Sequence, residues 1–382
     1  MTTASDKIKQ RLAQLRQRME AKGIDAVLMT DPDNSSYVSG FRAISYSRPI
    51  VYIVQRDTTT YIVPDLEKDH AEQEAAADDF FIYHESAQYA ERETSFTALF
   101  KGILEGRLKG FVVGLEMDLI SASLYQLLKD NGHQIKDIGK DLIAMRAVKD
   151  DDELYWIEQA GRLSDIALEA SFDHLSSGMS ELEFDAYGDH KLLETVSVEF
   201  PNINAGFENW TCSGVERSSQ PHLYSSTRKF RNNDVVVHSR QVWINQYRAE
   251  NERTFLLGEP AVQQKQYLQL AIDAQKAAMK MVQPGVKAKD VDMAAFRVFE
   301  QAGMSDYVQH RTGHGLGLSE HEEPYLRFDN DLVLQEGMVY TIEPGIYVPN
   351  IGGFRHSDTV VVTKDGYRRV THFPGELEDM MF

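Results

Sequence analysis

Hydrophobic residues in the first third of the chain recur first with the spacing of a helix and then in short runs typical of buried strands. The helical set consists of Ile8, Leu12, Leu15 and Met19. Lys22 and Gly23 then end this helix. Strand-like runs follow at residues 24–29, 50–54, 60–63 and 111–115, with a second helical pattern over residues 96–108. This alternation of helices and strands predicts an α/β domain at the N-terminus.

The pattern changes near residues 145–153, where the composition becomes strongly charged. A long amphipathic helix is predicted after this segment, with the apolar positions Leu154, Ile157, Ala160, Ile166 and Ala167. Helices predicted over residues 154–175, 181–195, 261–282 and 288–302 alternate with strands of antiparallel type. The sequence therefore predicts a smaller α/β domain over residues 1–150 and an α+β domain over residues 151–382.

A length of 382 residues suits two domains, and the net charge of -19 limits the classes of partner. Lys and Arg together number 40, whereas Asp and Glu together number 59. Because such an acidic surface repels phosphate backbones and anionic membranes, we expect neither nucleic acid nor membrane as a partner.

Cysteine content and hydropathy indicate the compartment. Cys212 is the single cysteine, which excludes an intrachain disulfide and fits a reducing environment. No apolar run approaches the ~18 residues of a membrane span, and the N-terminal residues lack the apolar segment of a signal peptide. We therefore expect a cytoplasmic protein in which Cys212 has a structural role.

Two motifs in the second domain contain candidate active-site residues. Residues 311–324 read R-T-G-H-G-L-G-L-S-E-H-E-E-P, and residues 340–345 read Y-T-I-E-P-G. They resemble the creatinase/aminopeptidase P family of hydrolases, and the resemblance extends over essentially the whole chain. It implies a pita-bread fold for the second domain. Metal-dependent members of this family hold two divalent ions with two Asp, one His and two Glu side chains.

Only part of that ligand set is present. His314 and Glu343 match the family's histidine and one glutamate, and Glu250 stands in place of the second aspartate. Ser239 and Ser357 stand in place of the first aspartate and the last glutamate. A neutral serine lacks the charge that two adjacent cations need, so we expect no two-metal centre. A single ion held by Glu250, His314 and Glu343 remains open.

Other segments resemble creatinase, which works without a metal. The loop at residues 221–229 presents His222 as the candidate acid/base, because a histidine can activate water and then protonate a leaving nitrogen. Glu252 and Glu343 would clamp a cationic group between their carboxylates. The leading interpretation is therefore a hydrolase without metal or cofactor that cleaves a non-peptide C–N bond. Its substrate would be a small zwitterionic guanidino or amidine compound, creatine-like or ectoine-like.

The same resemblance implies further substrate-binding residues, namely His314, His321, Arg355 and His356 in the second domain and Tyr46 and Arg48 in the first. Because Tyr46 and Arg48 belong to the other domain, the resemblance implies a homodimer in which the N-terminal domain of one chain borders the active site of its partner. Structural roles are the alternative: Arg355 can form a purely structural ion pair with a glutamate, and Arg48 can be an ordinary surface residue.

Two other functions remain open. The first is a metal-dependent Xaa-Pro dipeptidase or aminopeptidase with a degenerate site. The second is a catalytically silent protein that uses the pocket only to bind a small molecule. Metal content after purification separates the peptidase from the metal-free hydrolase.

Overall fold

The computed structural model describes residues 4–44 and 47–382, and the chain divides into two units between Arg146 and Ala147. This division lies close to the boundary predicted at residue 150. Each unit combines helices with a sheet, so the predicted mixture of α and β structure is confirmed.

The first unit is built on a six-stranded mixed sheet. Its strands are β1 (Ala26–Met29), β2 (Val51–Gln55), β3 (Thr59–Pro64), β4 (Asp79–Tyr83), β5 (Val112–Leu115) and β6 (Gln134–Asp137). Their order in the sheet is β4-β3-β2-β1-β5-β6, with antiparallel pairs β1/β2 and β2/β3 and parallel pairs elsewhere. Its helices are α1 (Ala4–Lys22), α2 (Pro32–Ser39), α3 (Lys68–Glu74), α4 (Phe96–Glu105), α5 (Ala122–Asp130) and α6 (Gly139–Ala147).

Helix α4 illustrates how this unit forms its core. The Ser95 side chain caps the helix by accepting a hydrogen bond from the Ala98 amide. Phe100, Ile103 and Leu104 share one face because of the i, i+3, i+4 spacing, and all three are buried against the sheet's apolar residues. Burial of each such side chain stabilises the unit by about 1.5–3 kcal/mol.

The second unit contains the remaining elements. Its helices are α7 (Asp151–Asp173), α8 (Glu181–Glu199), α9 (Val215–Ser218), α10 (Val262–Met279) and α11 (Ala288–Gln301). Its strands are β7 (Ala205–Ser213), β8 (Val235–Ile244), β9 (Tyr247–Leu256), β10 (Gly313–Gly315), β11 (Glu322–Leu326), β12 (Val339–Ile342), β13 (Gly345–Val348), β14 (Gly352–Arg355), β15 (Ser357–Thr363) and β16 (Gly366–Arg369). The main sheet has the order β11-β10-β12-β15-β9-β8-β7, β16 pairs with β15, and β13 with β14 forms a separate hairpin.

The charged segment near residue 150 is the start of α7. The Asp150 side chain caps this helix, and the Glu153 carboxylate accepts a hydrogen bond from the Asp150 amide, which completes a capping box. Acidic residues fill the first turn, where the partial positive charge of the helix N-terminus stabilises them. Ser180 and Glu183 form the same arrangement at the start of α8.

Helices α10 and α11 carry the apolar face that covers one side of the main sheet. Their buried residues pack in one cluster with residues of β8, β9, β12 and β15. This packing fixes the strands from which the polar side chains of the candidate site project. Among the residues that the structure describes, no helix combines the length and the apolar character that crossing a membrane requires.

Candidate active site

Three adjacent strands, β8, β9 and β15, align the polar residues of the site. Glu250 and Glu252 lie two positions apart on β9, so their side chains project from the same face of the sheet. Strand pairing places Ser239 of β8 on one side of Glu252 and Ser357 of β15 on the other. Gln241 of β8 lies opposite Glu250 in the same way. All five side chains are buried.

His314 of β10 and Glu343, just beyond β12, complete a cluster with Glu250. The His314 Nε2 atom lies 3.2 Å from Glu343 Oε1 and 3.7 Å from Glu250 Oε2. One potential ligand atom from each of the three side chains lies within 4.8 Å of the others. Gly313 makes this approach possible, because a Cβ at that position would lie 2.0 Å from the Thr341 carbonyl oxygen.

The charges within this cluster strongly perturb one another. Burial alone would lower the pKa of His314, but its hydrogen bond to Glu343 and the charges of Glu343 and Glu250 raise that pKa to about 9. Burial and repulsion from Glu343 and Glu252 raise the pKa of Glu250 well above its usual range. Burial also opposes ionisation of Glu343, yet His314 holds the Glu343 pKa well below its ordinary value.

Protonation of His314 and Glu250 therefore balances the charge of the cluster when no cation is present. A divalent cation would replace both protons, and its ligands would be two carboxylate oxygens and one imidazole nitrogen. This donor set suits a transition-metal ion such as Mn²⁺, Co²⁺ or Zn²⁺. The three residues thus fit one metal ion.

Two neighbours hold the Glu250 carboxylate in place. Ser357 Oγ donates a hydrogen bond to Glu250 Oε1 at 2.7 Å, and Gln241 Nε2 donates one to Oε2 at 3.2 Å. Such contacts orient a metal ligand and typically change metal affinity about 10–100-fold. Ser357, which stands where the resemblance implies a metal ligand, therefore orients Glu250, a candidate ligand.

Glu252 pairs with an arginine. The Arg355 Nη2 atom donates a hydrogen bond to Glu252 Oε1 at 2.6 Å, and both side chains are buried. The Arg355 Nη1 atom also donates to the Tyr347 hydroxyl at 3.2 Å, and this hydroxyl lies 2.8 Å from His310 Nε2. Burial raises the pKa of Glu252 to about 7, although the charge of Arg355 opposes the rise.

A cavity of about 290 Å³ opens over these groups. Its lining comprises Trp210, His222, Leu223, Tyr224, Gln241, Glu250, Glu252, Glu320, His321, Glu343 and Arg355. The His314 ring lies against the His321 ring at a centroid distance of 4.0 Å. Burial and the charge of His314 lower the pKa of His321 to about 4, so His321 is neutral near pH 7.

His222 is exposed, and its loop is anchored to the body of the unit. The buried carboxylate of Glu181, on α8, accepts hydrogen bonds from the backbone and hydroxyl of Ser226, at 2.8 and 2.7 Å. It also accepts bonds from Ser213 and Arg217. Arg217 in turn donates to the Tyr224 carbonyl at 2.8 Å. These contacts fix the segment that follows His222.

The structure brings most predicted site residues of the second unit together, but not His356. Its ring is fully buried, with Nε2 lying 3.2 Å from the Thr254 carbonyl oxygen, and it does not line the cavity. Burial, helped by the charge of Arg253, lowers the pKa of His356 to about 3. These features indicate a packing role, not the predicted contact with substrate.

The predicted residues of the first unit are only partly described. Arg48 lines a separate cavity of about 560 Å³ in that unit, and its Nε lies 2.5 Å from Glu85 Oε2. Tyr46 lies outside the described residues. Their predicted contact with substrate in a partner's site stays a prediction.

The sequence did not indicate five residues that line the cavity, namely Trp210, Leu223, Tyr224, Gln241 and Glu320. Sequence signals existed for two of them. Gln241 follows Ser239 by two positions, so a strand brings both to one face, and Glu320 directly precedes His321. Trp210 and Tyr224 reach the cavity through the pairing of β7 and the course of the following loop, which no local pattern predicts.

Comparisons with known proteins decide the family. Residues 156–364 match the model of metallopeptidase family M24, and residues 11–148 match that of the creatinase/prolidase N-terminal domain. The chain belongs to metallopeptidase family M24. A putative dipeptidase of Bacillus subtilis is 32% identical over 374 residues, covering 96% of this chain and 99% of the relative. An Xaa-Pro dipeptidase of Pyrococcus furiosus is 32% identical over 375 residues, covering 97% and 100%.

A solved structure of the family has the same fold. The prolidase of Pyrococcus horikoshii superimposes with a TM-score of 0.84 at 29% identity, covering 96% of this chain and 99% of that structure. The predicted pita-bread fold with a creatinase-like N-terminal domain is thereby confirmed. The chain is a hydrolase of this family.

The leading interpretation from the sequence, a metal-independent creatinase-like hydrolase of guanidino or amidine compounds, is wrong. Relatives that match over nearly the full length are Xaa-Pro dipeptidases of a metallopeptidase family. The contacts in the site give a physical reason. Glu252 is neutralised by Arg355 and Glu343 by His314, so these two carboxylates do not form a free clamp for a cationic substrate.

Proposed function

We propose that this chain is a metal-dependent peptidase that hydrolyses dipeptides with proline in the second position. One observation carries the proposal: Glu250, His314 and Glu343 present three potential metal ligands together at a cavity of about 290 Å³. That volume lies at the lower end of small-molecule sites, which are about 300–1,000 Å³, and suits a substrate of dipeptide size. Relatives named Xaa-Pro dipeptidases supply the reaction class.

Glu250, His314 and Glu343 would hold the ion. A divalent cation at this position supplies Lewis acidity, which activates water and polarises the scissile carbonyl. Ser357 and Gln241 keep the Glu250 carboxylate in the orientation that a ligand requires.

Two histidines at the cavity, His321 and His222, would act on the substrate directly. His321 is neutral and lines the cavity, so one of its ring nitrogens can donate a hydrogen bond to the carbonyl oxygen as charge develops there. The nitrogen of an Xaa-Pro bond carries no hydrogen, and proline must leave as a protonated secondary amine. His222, on the anchored loop at the cavity, is the candidate that delivers this proton.

The remaining lining fits a zwitterionic dipeptide with a compact apolar ring. Trp210 and Tyr224 offer aromatic faces against which a proline ring can pack. Glu320 offers a carboxylate for the substrate's ammonium group. The homodimer expected from the sequence stays a prediction, which the molar mass in solution tests by light scattering.

Peptide hydrolysis after removal and return of metal tests the proposal. Chelator-treated protein should be inactive, and Mn²⁺, Co²⁺ or Zn²⁺ should restore cleavage of Ala-Pro in preference to Ala-Ala. The tripeptide Ala-Pro-Gly separates a dipeptidase, which leaves it intact, from an aminopeptidase. His314→Ala should reduce kcat/KM by more than about 100-fold, since even contacts that only orient a ligand cost about 10–100-fold.

His190→Gln is the matched control, because His190 is an exposed histidine on α8 that does not line the cavity. It should retain the activity of the unaltered protein. Full activity of the chelator-treated protein, or no cleavage of any dipeptide with any of the three metals, would overturn the proposal.

A further inference from the structure

The second metal position of the family is altered in this chain by more than the loss of two ligands. Ser239 and Ser357 leave short neutral side chains on β8 and β15. Glu252, on the strand between them, is registered with both serines. Ser239, Glu252 and Ser357 thus form a row across three strands that retains one carboxylate, that of Glu252. This carboxylate already contacts the Arg355 guanidinium at 2.6 Å.

Ser357 is also engaged elsewhere. Its hydroxyl donates to Glu250 at 2.7 Å, so it supports a ligand of the first ion. A second hard cation would need several anionic oxygens in this row, and the serines provide none. The residues present do not fit a second ion.

The net charge of the buried side chains around the site also excludes a second ion. Glu250, Glu252 and Glu343 carry three negative charges, and Arg355 carries one positive charge that acts on all three. With His314 neutral as a ligand, two negative charges remain, which one divalent cation cancels. A second divalent cation would leave two uncompensated positive charges among buried side chains, which is costly in a low-dielectric interior.

We propose that the buried Glu252–Arg355 ion pair takes the place of the second metal ion, so that this centre binds one divalent cation per chain. The inference rests on the proposed function only for the position of the first ion. Arg355 supplies a fixed positive charge beside the metal site, and Glu252 holds the guanidinium there. The Tyr347 hydroxyl accepts a second hydrogen bond from the Arg355 guanidinium.

Metal stoichiometry of the full chain tests the inference directly. Chelator-treated protein is loaded with Mn²⁺, desalted and measured by plasma mass spectrometry, and its electron paramagnetic resonance spectrum is recorded. We expect about one Mn²⁺ per chain and a spectrum without exchange coupling. Two ions per chain, an exchange-coupled spectrum or no retained ion would each overturn the inference.

Two substitutions should change the Mn²⁺ affinity in opposite directions. Glu252→Gln removes a negative charge and releases the guanidinium, so Mn²⁺ affinity should fall about 10-fold, the scale of effects that neighbours of ligands have. Arg355→Gln removes the positive charge, so Mn²⁺ should bind more tightly or a second ion should be retained. Arg355→Lys keeps the charge and should retain one ion.

A pair that merely supports the fold would give a different result, since both neutral variants would then weaken Mn²⁺ binding together, and that outcome contradicts the inference. Glu194→Gln, at an exposed glutamate of α8, is the control and should bind Mn²⁺ as the unaltered protein does. Dipeptide hydrolysis is assayed separately. Two ions with peptidase activity would overturn only this inference, whereas one ion without peptidase activity would overturn only the proposed function.

Discussion

Glu181→Gln perturbs the anchor of the His222 loop without touching the cavity. The Glu181 carboxylate is fully buried and accepts six hydrogen bonds, from Ser213, Arg217 and Ser226. Glutamine keeps one acceptor oxygen, but its amide nitrogen would face donors at the other position. About three bonds are lost there, one of them to a charged group. Three such buried losses at about 1–3 kcal/mol each sum to about 3–9 kcal/mol. Because removing one partner of a buried ion pair costs about 3–5 kcal/mol, we expect destabilisation at the lower end, about 3–5 kcal/mol.

Tryptophan fluorescence during urea denaturation measures this loss in the relevant unit. The protein has three tryptophans, Trp156, Trp210 and Trp243, and all lie in the second unit. The signal therefore reports unfolding of that unit alone. Glu194→Gln is the control, because Glu194 lies on the same helix but is exposed to solvent and takes no part in the helix cap.

Loosening of the Ser226 anchor should also misplace His222. We expect Glu181→Gln to lower kcat more than it raises KM for Ala-Pro, because His222 is assigned to proton transfer and not to substrate binding. An unfolding free energy within about 1 kcal/mol of the unaltered protein would refute the hydrogen-bond reasoning. A normal kcat in a destabilised variant would refute the link between Glu181 and His222.

Three other predictions concern separate parts of the chain. Ser357→Ala should weaken Mn²⁺ binding about 10-fold in calorimetry, because Glu250, a proposed metal ligand, loses a hydrogen-bond donor. Gly313→Ala should cost about 1–3 kcal/mol in urea denaturation, because its Cβ meets the Thr341 carbonyl, whereas Gly102→Ala meets no atom within 4 Å and should not destabilise. Burial raises the pKa of Glu116 to about 7. The stability that protonated Glu116 contributes is therefore present below its ordinary pKa and is lost as the pH rises through 7. Thermal denaturation at several pH values should show this loss, and Glu116→Ala should make the loss smaller.

The error in the predicted reaction has a structural origin. The sequence showed that Ser239 and Ser357 replace two metal ligands, and it offered Glu252 and Glu343 as a clamp for a cation. Arg355 lies 103 positions from Glu252, on the separate β13/β14 hairpin, and only the tertiary contact of that hairpin with β9 shows that the two side chains pair. Once Glu252 is neutralised within the protein, its value as evidence for a cationic substrate disappears.

The motifs were more reliable than the chemistry inferred from them. Histidine, glutamate and glycine spacing in residues 311–324 and 340–345 identified the family, because close approach of β10 to β12 requires glycine at fixed positions. The same segments named His314 and Glu343 as site residues. Gln241 was missed because one strand offers several polar positions, and only the pairing of β8 with β9 selects the one opposite Glu250.

The sequence by itself determined the α+β fold, the family and two residues of the candidate metal site, His314 and Glu343, since local periodicity and short motifs depend on neighbours in the chain. The tertiary structure decided which charges meet. It brought Glu250, His314 and Glu343 into one cluster and paired Glu252 with Arg355. The physical reason is that a buried carboxylate takes its properties from the nearest opposite charge, and that partner arrives from a distant strand.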